Sequence, residues 1–130
     1  KSAWNSTVQS DVKNASLVVE TATTENNGSI IGLEFSAVKK TGSSTTTATL
    51  TDKESDDVGP LKIDDTVTAT LNGNKFTVSP GNTLTLHHSG NNYAIEGTNK
   101  NSGTKTYTYY SATGTITDST YDSTKINGWR

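Results

Sequence analysis

At 130 residues with a formal net charge of -2, the chain is long enough for one domain with a real core, and it offers no overall attraction to nucleic acid or anionic lipid. It has no cysteine, which excludes disulfide frameworks, thiol catalysis and Cys-based zinc sites, and its only arginine, Arg130, argues against phosphate clamping. Only 29% of residues are hydrophobic and mean hydropathy is -0.61, with about 40 Ser and Thr filling the deficit, a bias that suits solvent-facing strands and extracellular proteins.

The first predicted element is an amphipathic helix. Trp4, Val8, Val12, Ala15, Val19 and Ala22 recur at steps of three and four, the period of one helical face. These six are the candidate helix–sheet packing residues. Ser2 can cap the start, and Gln9, Asp11, Lys13, Asn14 and Glu20 form the face expected to meet solvent. Asn26-Asn27-Gly28 is a stop signal, so the helix is expected within 1–27.

Everything after Gly28 alternates at period two between turn signals, which predicts sheet and loops over 28–117. Ser29–Val38 reads as an extended segment with Ile31, Leu33 and Phe35 on one side. Lys39–Thr47 reads as a loop or ragged edge, and Asp52–Asp57 as an acidic surface loop closed by Gly59-Pro60. Val67, Ala69 and Leu71 alternate into Asn72-Gly73, and Phe76 and Val78 alternate out of it, the signature of a hairpin. Pro80-Gly81-Asn82, Gly90-Asn91 and Asn99–Gly103 separate three further strands, the last carrying Tyr107 and Tyr109. The spacing predicts an antiparallel meander. The tail 118–130 is expected to fold back through Ile126 and Trp129. The fold class is therefore α+β in a single domain: an N-terminal amphipathic helix packed against an antiparallel β-sheet.

Two segments resemble a known family. Ser10-Asp11-Val12-Lys13-Asn14-Ala15, continuing to Val19-Glu20-Thr21, is similar to the exposed half of the long N-terminal helix of type IV pilins. Tyr93-Ala94-Ile95-Glu96-Gly97, followed after a turn by Lys105 to Gly114, is similar to late strands of the pilin sheet, most of all in pilins and pseudopilins of Gram-positive bacteria. The chain departs from many Gram-negative pilins in lacking a disulfide-bounded C-terminal region. Its ending, Ile126-Asn127-Gly128-Trp129, resembles the C-terminus of major pseudopilins of type II secretion. The resemblance implies a pilin-like fold and a structural role. The protein would be a filament subunit at the cell surface, partnered by copies of itself and other pilins. It would be membrane-anchored before assembly through an apolar helical half preceding Lys1. The absence of any methionine fits that expectation, since Lys1 is then not a translation start. A runner-up of another class is a secreted adhesive or carbohydrate-binding β-domain, which would have two facing sheets and a short or displaced helix.

Chemical constellations are sparse. His87-His88 is the sole histidine pair, and neighbours on a strand point to opposite faces, one expected in solvent and one half-buried. No nucleophile elbow or phosphate-cradling loop appears, so no catalytic residue is assigned. Asp52, Glu54, Asp56 and Asp57 cluster oxygen ligands without EF-hand spacing and read as a solvated loop. Asp118 and Asp122 lie where the resemblance implies calcium in major pseudopilins, and they are the candidate calcium carboxylates; no other cofactor is expected. Tyr107, Tyr109 and Trp129 would make a sugar-stacking platform or simply cover the sheet. Lys39, Lys40, Lys100 and Lys105 read as surface lysines rather than a nucleic-acid patch. The N-x-[ST] matches at Asn5, Asn14 and Asn27 are expected by chance in so Asn-, Ser- and Thr-rich a chain.

Overall fold

The computed structural model describes residues 2–54, 59–101 and 103–126. Helix α1 spans Ser2–Glu25, 24 residues and about 36 Å. It ends where Thr23 O accepts the backbone N–H groups of Asn26 (3.0 Å) and Gly28 (2.7 Å), with Asn27 in the left-handed region at φ 57°. Asn26 Nδ2 then donates to Ser29 O and Ile31 O, tying the turn to the helix end.

Nine strands follow: β1 (Glu34–Lys39), β2 (Thr45–Thr49), β3 (Leu61–Asp64), β4 (Val67–Leu71), β5 (Asn74–Lys75), β6 (Asn82–Ser89), β7 (Asn92–Asn99), β8 (Tyr107–Tyr110) and β9 (Thr115–Thr117). They form two antiparallel sheets rather than one. The four-stranded sheet has the order β2-β1-β4-β5, and the five-stranded sheet β3-β6-β7-β8-β9. A 3-10 turn, Ser123–Ile126, closes the described chain. The expected hairpin is β4–β5. Asn72 (φ 47°) and Gly73 (φ 80°) both take positive φ at its tip, the primed turn that matches strand twist.

One apolar cluster draws on all three layers. Val8, Val12, Ala15, Val19 and Ala22 come from α1; Phe35, Ala37, Ala69 and Leu71 come from the four-stranded sheet; Leu61, Ile63, Leu84, Leu86, Tyr93, Ile95 and Tyr107 come from the five-stranded sheet. The helix lies chiefly across β7 and β8 and also touches β4, β5 and β6. The architecture is α+β, with one N-terminal helix packed on antiparallel sheet.

Four expectations need correction. Trp4 is 40% exposed and is not a packing residue, although the other five of its stripe are buried; near the helix start the contact with the sheet side is polar, Asn5 Oδ1 accepting the Lys105 N–H. Asp11, expected in solvent, is 5% exposed. Ile31 is exposed while Leu33 and Phe35 are buried, because a turn at Ile31-Gly32 breaks the alternation before β1 begins. Finally, β3 was not anticipated, and with it the division into two sheets. Much of 39–47 is indeed edge: β2 is almost wholly exposed. Trp129, Asp56, Asp57, Lys1 and Arg130 lie outside the described residues.

Candidate functional site: the helix seat and the tail clasp

The helix seat is built on a missing side chain. A Cβ on Gly97 would stand 2.5 Å from Val12 Cγ2 and 2.9 Å from Val8 Cγ1, so the valines of α1 rest directly on β7 backbone. Gly97 pairs with Leu84 on one side and Tyr107 on the other, which places the contact at the centre of the five-stranded sheet. Alternation then puts Leu84, Leu86, His88, Tyr93, Ile95 and Tyr107 on this same face.

Polar groups fix how α1 is rotated on that seat. Asp11 Oδ2 accepts the Ser79 N–H at 2.7 Å and Asn82 Nδ2 at 2.8 Å, and its Oδ1 accepts Ser79 Oγ at 3.0 Å. Asn82, 1% exposed, accepts Asn99 Nδ2 in turn. Asn5 Oδ1 accepts the Lys105 N–H at 2.9 Å, and farther along the helix Glu20 Oε2 accepts the Tyr93 phenol at 2.6 Å. Burial, reinforced by that Glu20 carboxylate, holds the Tyr93 phenol well above its usual range and therefore neutral. The apolar stripe sets which face is buried, and these bonds set the register along it.

The opposite face of the same sheet is covered by the chain's last segment. His87, Ala94 and Tyr110 are aligned across β6, β7 and β8. Ala94 and Tyr110 bury against Ile126, with Tyr121 beside them. The His87 ring stacks on Tyr121 at 3.5 Å and 6°, while its Nδ1 lies 2.7 Å from Glu54 Oε1. Thr108 Oγ1 donates to Ser119 O, and Glu96 Oε2 accepts the Tyr121 N–H. Burial beside Glu54 pushes the Tyr121 phenol up to about 12.

His87 and His88 do point to opposite faces, yet both are buried, at 8% and 3% exposure: His87 stacks under Tyr121, and His88 lies against Thr51 and Glu54. Burial, opposed by the Glu54 charge, lowers the His88 imidazole below its ordinary 6.5, and its Nδ1 has no hydrogen-bond partner among the described residues. An open groove of about 340 Å³ beside it is lined by Lys53, Glu54, His88, Ser89, Tyr121, Ser123 and Ile126.

The other candidates are not gathered into a site. Asp118 Oδ2 is ion-paired with Lys105 Nζ at 2.8 Å on the exposed surface. Asp122 Oδ1 accepts the Thr124 N–H and hydroxyl at the start of the 3-10 turn, which holds its carboxyl below the usual range. Among the described residues no three His, Asp or Glu side chains converge as metal ligands. Tyr107 is buried, and Tyr109 packs 5.9 Å from Tyr93, so the pair covers core rather than offering an open platform. Lys39 Nζ donates to Thr66 Oγ1. No helix among the described residues is long and apolar enough to cross a membrane. The chain matches no family model, and comparisons with curated proteins and with solved structures likewise return no match.

Proposed function

We propose that the chain is the globular part of a type IV pilin-like subunit, which assembles with copies of itself and with other pilins into a surface filament. In this reading an apolar helical segment preceding Lys1 anchors the subunit in the membrane and later bundles in the filament core. Contacts that do not close into a ring then extend the filament. The reading requires neither catalysis nor a cofactor. The observation that carries it is α1: 24 residues whose buried stripe from Val8 to Ala22 packs on the sheet, with Trp4 left exposed toward the helix start. A second sheet is the feature expected of the alternative, a secreted adhesive or carbohydrate-binding β-domain, but a long helix seated on Gly97 is not.

The coding sequence upstream of Lys1 separates the two. A short basic leader followed by about 20 apolar residues, in phase with the Val8–Ala22 stripe, supports the filament subunit. A cleavable signal peptide or a second globular domain there overturns it in favour of the binding module. Immunogold labelling of producing cells gives the direct readout: labelled filaments are expected, and label confined to the medium contradicts the proposal.

A further inference from the structure

Strand β2 forms one edge of the four-stranded sheet, and among the described residues no strand lies on its outer side. Natural sheets protect such edges with charges, prolines, bulges or brevity. The other edges here follow that practice. β5 has two residues and β9 three, while β3 carries Lys62 and Asp64. β2 has five residues, Thr45-Thr46-Thr47-Ala48-Thr49, and the whole run 41–51 contains no charge and no proline. It pairs with β1 without a bulge over all five positions.

The hydrogen-bond pattern shows which backbone groups of β2 have no partner among the described residues. Leu50 N–H donates to Leu33 O at 2.8 Å, and Ser44 O accepts Lys39 N–H at 2.9 Å. Even-numbered residues of this strand therefore turn their backbone groups toward β1, and Thr45, Thr47 and Thr49 turn theirs outward.

We propose that β2 pairs antiparallel with β2 of a second copy of this chain, about a two-fold axis passing through Thr47. In that register Thr47 faces Thr47 and Thr45 faces Thr49. All three outward-turned residues of each copy then become hydrogen-bonded pairs, and the two four-stranded sheets merge into one. Thr faces Thr on the solvent side, a favourable cross-strand match, and no like charges meet because the strand has none. A self-complementary patch is what a two-fold interface demands. A foreign peptide would find no charge on β2 to select it, and the pocket of about 290 Å³ that Thr46 helps to line opens on the Phe35 and Ala37 face rather than among Thr45, Thr47 and Thr49. The five-residue contact is small beside the ~1,200 Å² or more of stable interfaces, so the isolated domains associate weakly and pair where copies are crowded.

The register can be read directly, because the chain has no cysteine of its own. Facing residues of a hydrogen-bonded antiparallel pair have Cα atoms about 5.5 Å apart, within disulfide reach, whereas Thr45 and its own counterpart would stand about 14 Å apart. At about 0.5 mM protein under mild oxidation, T47C is expected to give a covalent dimer, while T45C and T49C singly do not and the T45C/T49C double variant does. Sedimentation of the unmodified chain should show a concentration-dependent dimer that Thr47→Pro abolishes without changing the melting temperature. If Thr47→Pro disturbs folding, Thr47→Lys replaces it, setting like charges across the axis. A monomer at every concentration up to about 1 mM overturns the proposal. So does cross-linking of T45C or T49C as readily as T47C, which would mean another register or random encounter.

Discussion

The two sheets use threonine in opposite ways. In the four-stranded sheet, Glu34, Ser36 and Val38 of β1 align with Thr45, Thr47 and Thr49 on one side and with Thr68 and Thr70 on the other, on the face away from the core. In the five-stranded sheet Thr108 has no exposure at all; its hydroxyl donates to Ser119 O, and its carbonyl accepts the Thr117 hydroxyl. The first sheet is half-covered and needs apolar residues on one face only. The second is covered by the helix on one face and the tail on the other, so its polar residues must be individually satisfied. A chain with 29% hydrophobic residues can thus build a core by gathering most of its apolar and aromatic side chains between the helix and the two sheets, with a smaller cluster of Ala94, Tyr110 and Ile126 under the tail.

Substitutions should separate the two sheets sharply. Val12→Asp puts an unpaired carboxylate against Gly97 and should cost about 3 kcal/mol or more, read as a large fall in melting temperature; an unchanged melt would disprove the helix seat. Asp11→Ala strands the Ser79 and Asn82 donors and should cost about 2–3 kcal/mol in denaturant titration. Gly97→Ala should cost about 1–3 kcal/mol through overpacking, and Val12→Ala in the same chain should recover part of it. Additive effects in that pair would show that the Cβ does not meet the valine.

Acid supplies a milder test. His88 is depressed in the fold by burial, so the unfolded chain takes up its proton first as pH falls below 6.5. Its contribution is present above that pH and lost as pH falls through the folded value. The chain should therefore lose more melting temperature between pH 7.5 and 5 than a His88→Gln variant does. Parallel curves would remove His88 from the explanation. The smallest effect belongs to the half-covered sheet: Thr70→Val on its outer face should stay within about 0.5 kcal/mol of the parent.

What could be read from the chain follows the range of the interaction. The stripe from Val8 to Ala22 and the Asn72-Gly73 hairpin are local patterns, and both appear where expected. Asp11 looked like a solvent residue because its partners, Ser79 and Asn82, are 68 and 71 positions away. Trp4 continues the stripe in sequence, but spacing does not say which positions of the stripe find an apolar partner. The Leu61-Lys62-Ile63-Asp64 alternation was available as a strand signal; its pairing with β6 rather than β4, which creates the second sheet, was not. Gly97 entered only through a family resemblance, since nothing local reveals that a helix will rest on it. The burial of both histidines required knowing what lies against each ring.

The long reach of the helix contacts bears on how the protein is made. Asn5 bonds to Lys105 across 100 positions, Glu20 to Tyr93 across 73, and the seat itself is at Gly97. Helix α1 leaves the ribosome before the strands that cover it, so most of its buried face has nothing to dock on until the five-stranded sheet has been synthesised. Folding of this domain is therefore set by late, distant closure, which makes it slow for its size and leaves an amphipathic segment uncovered throughout translation.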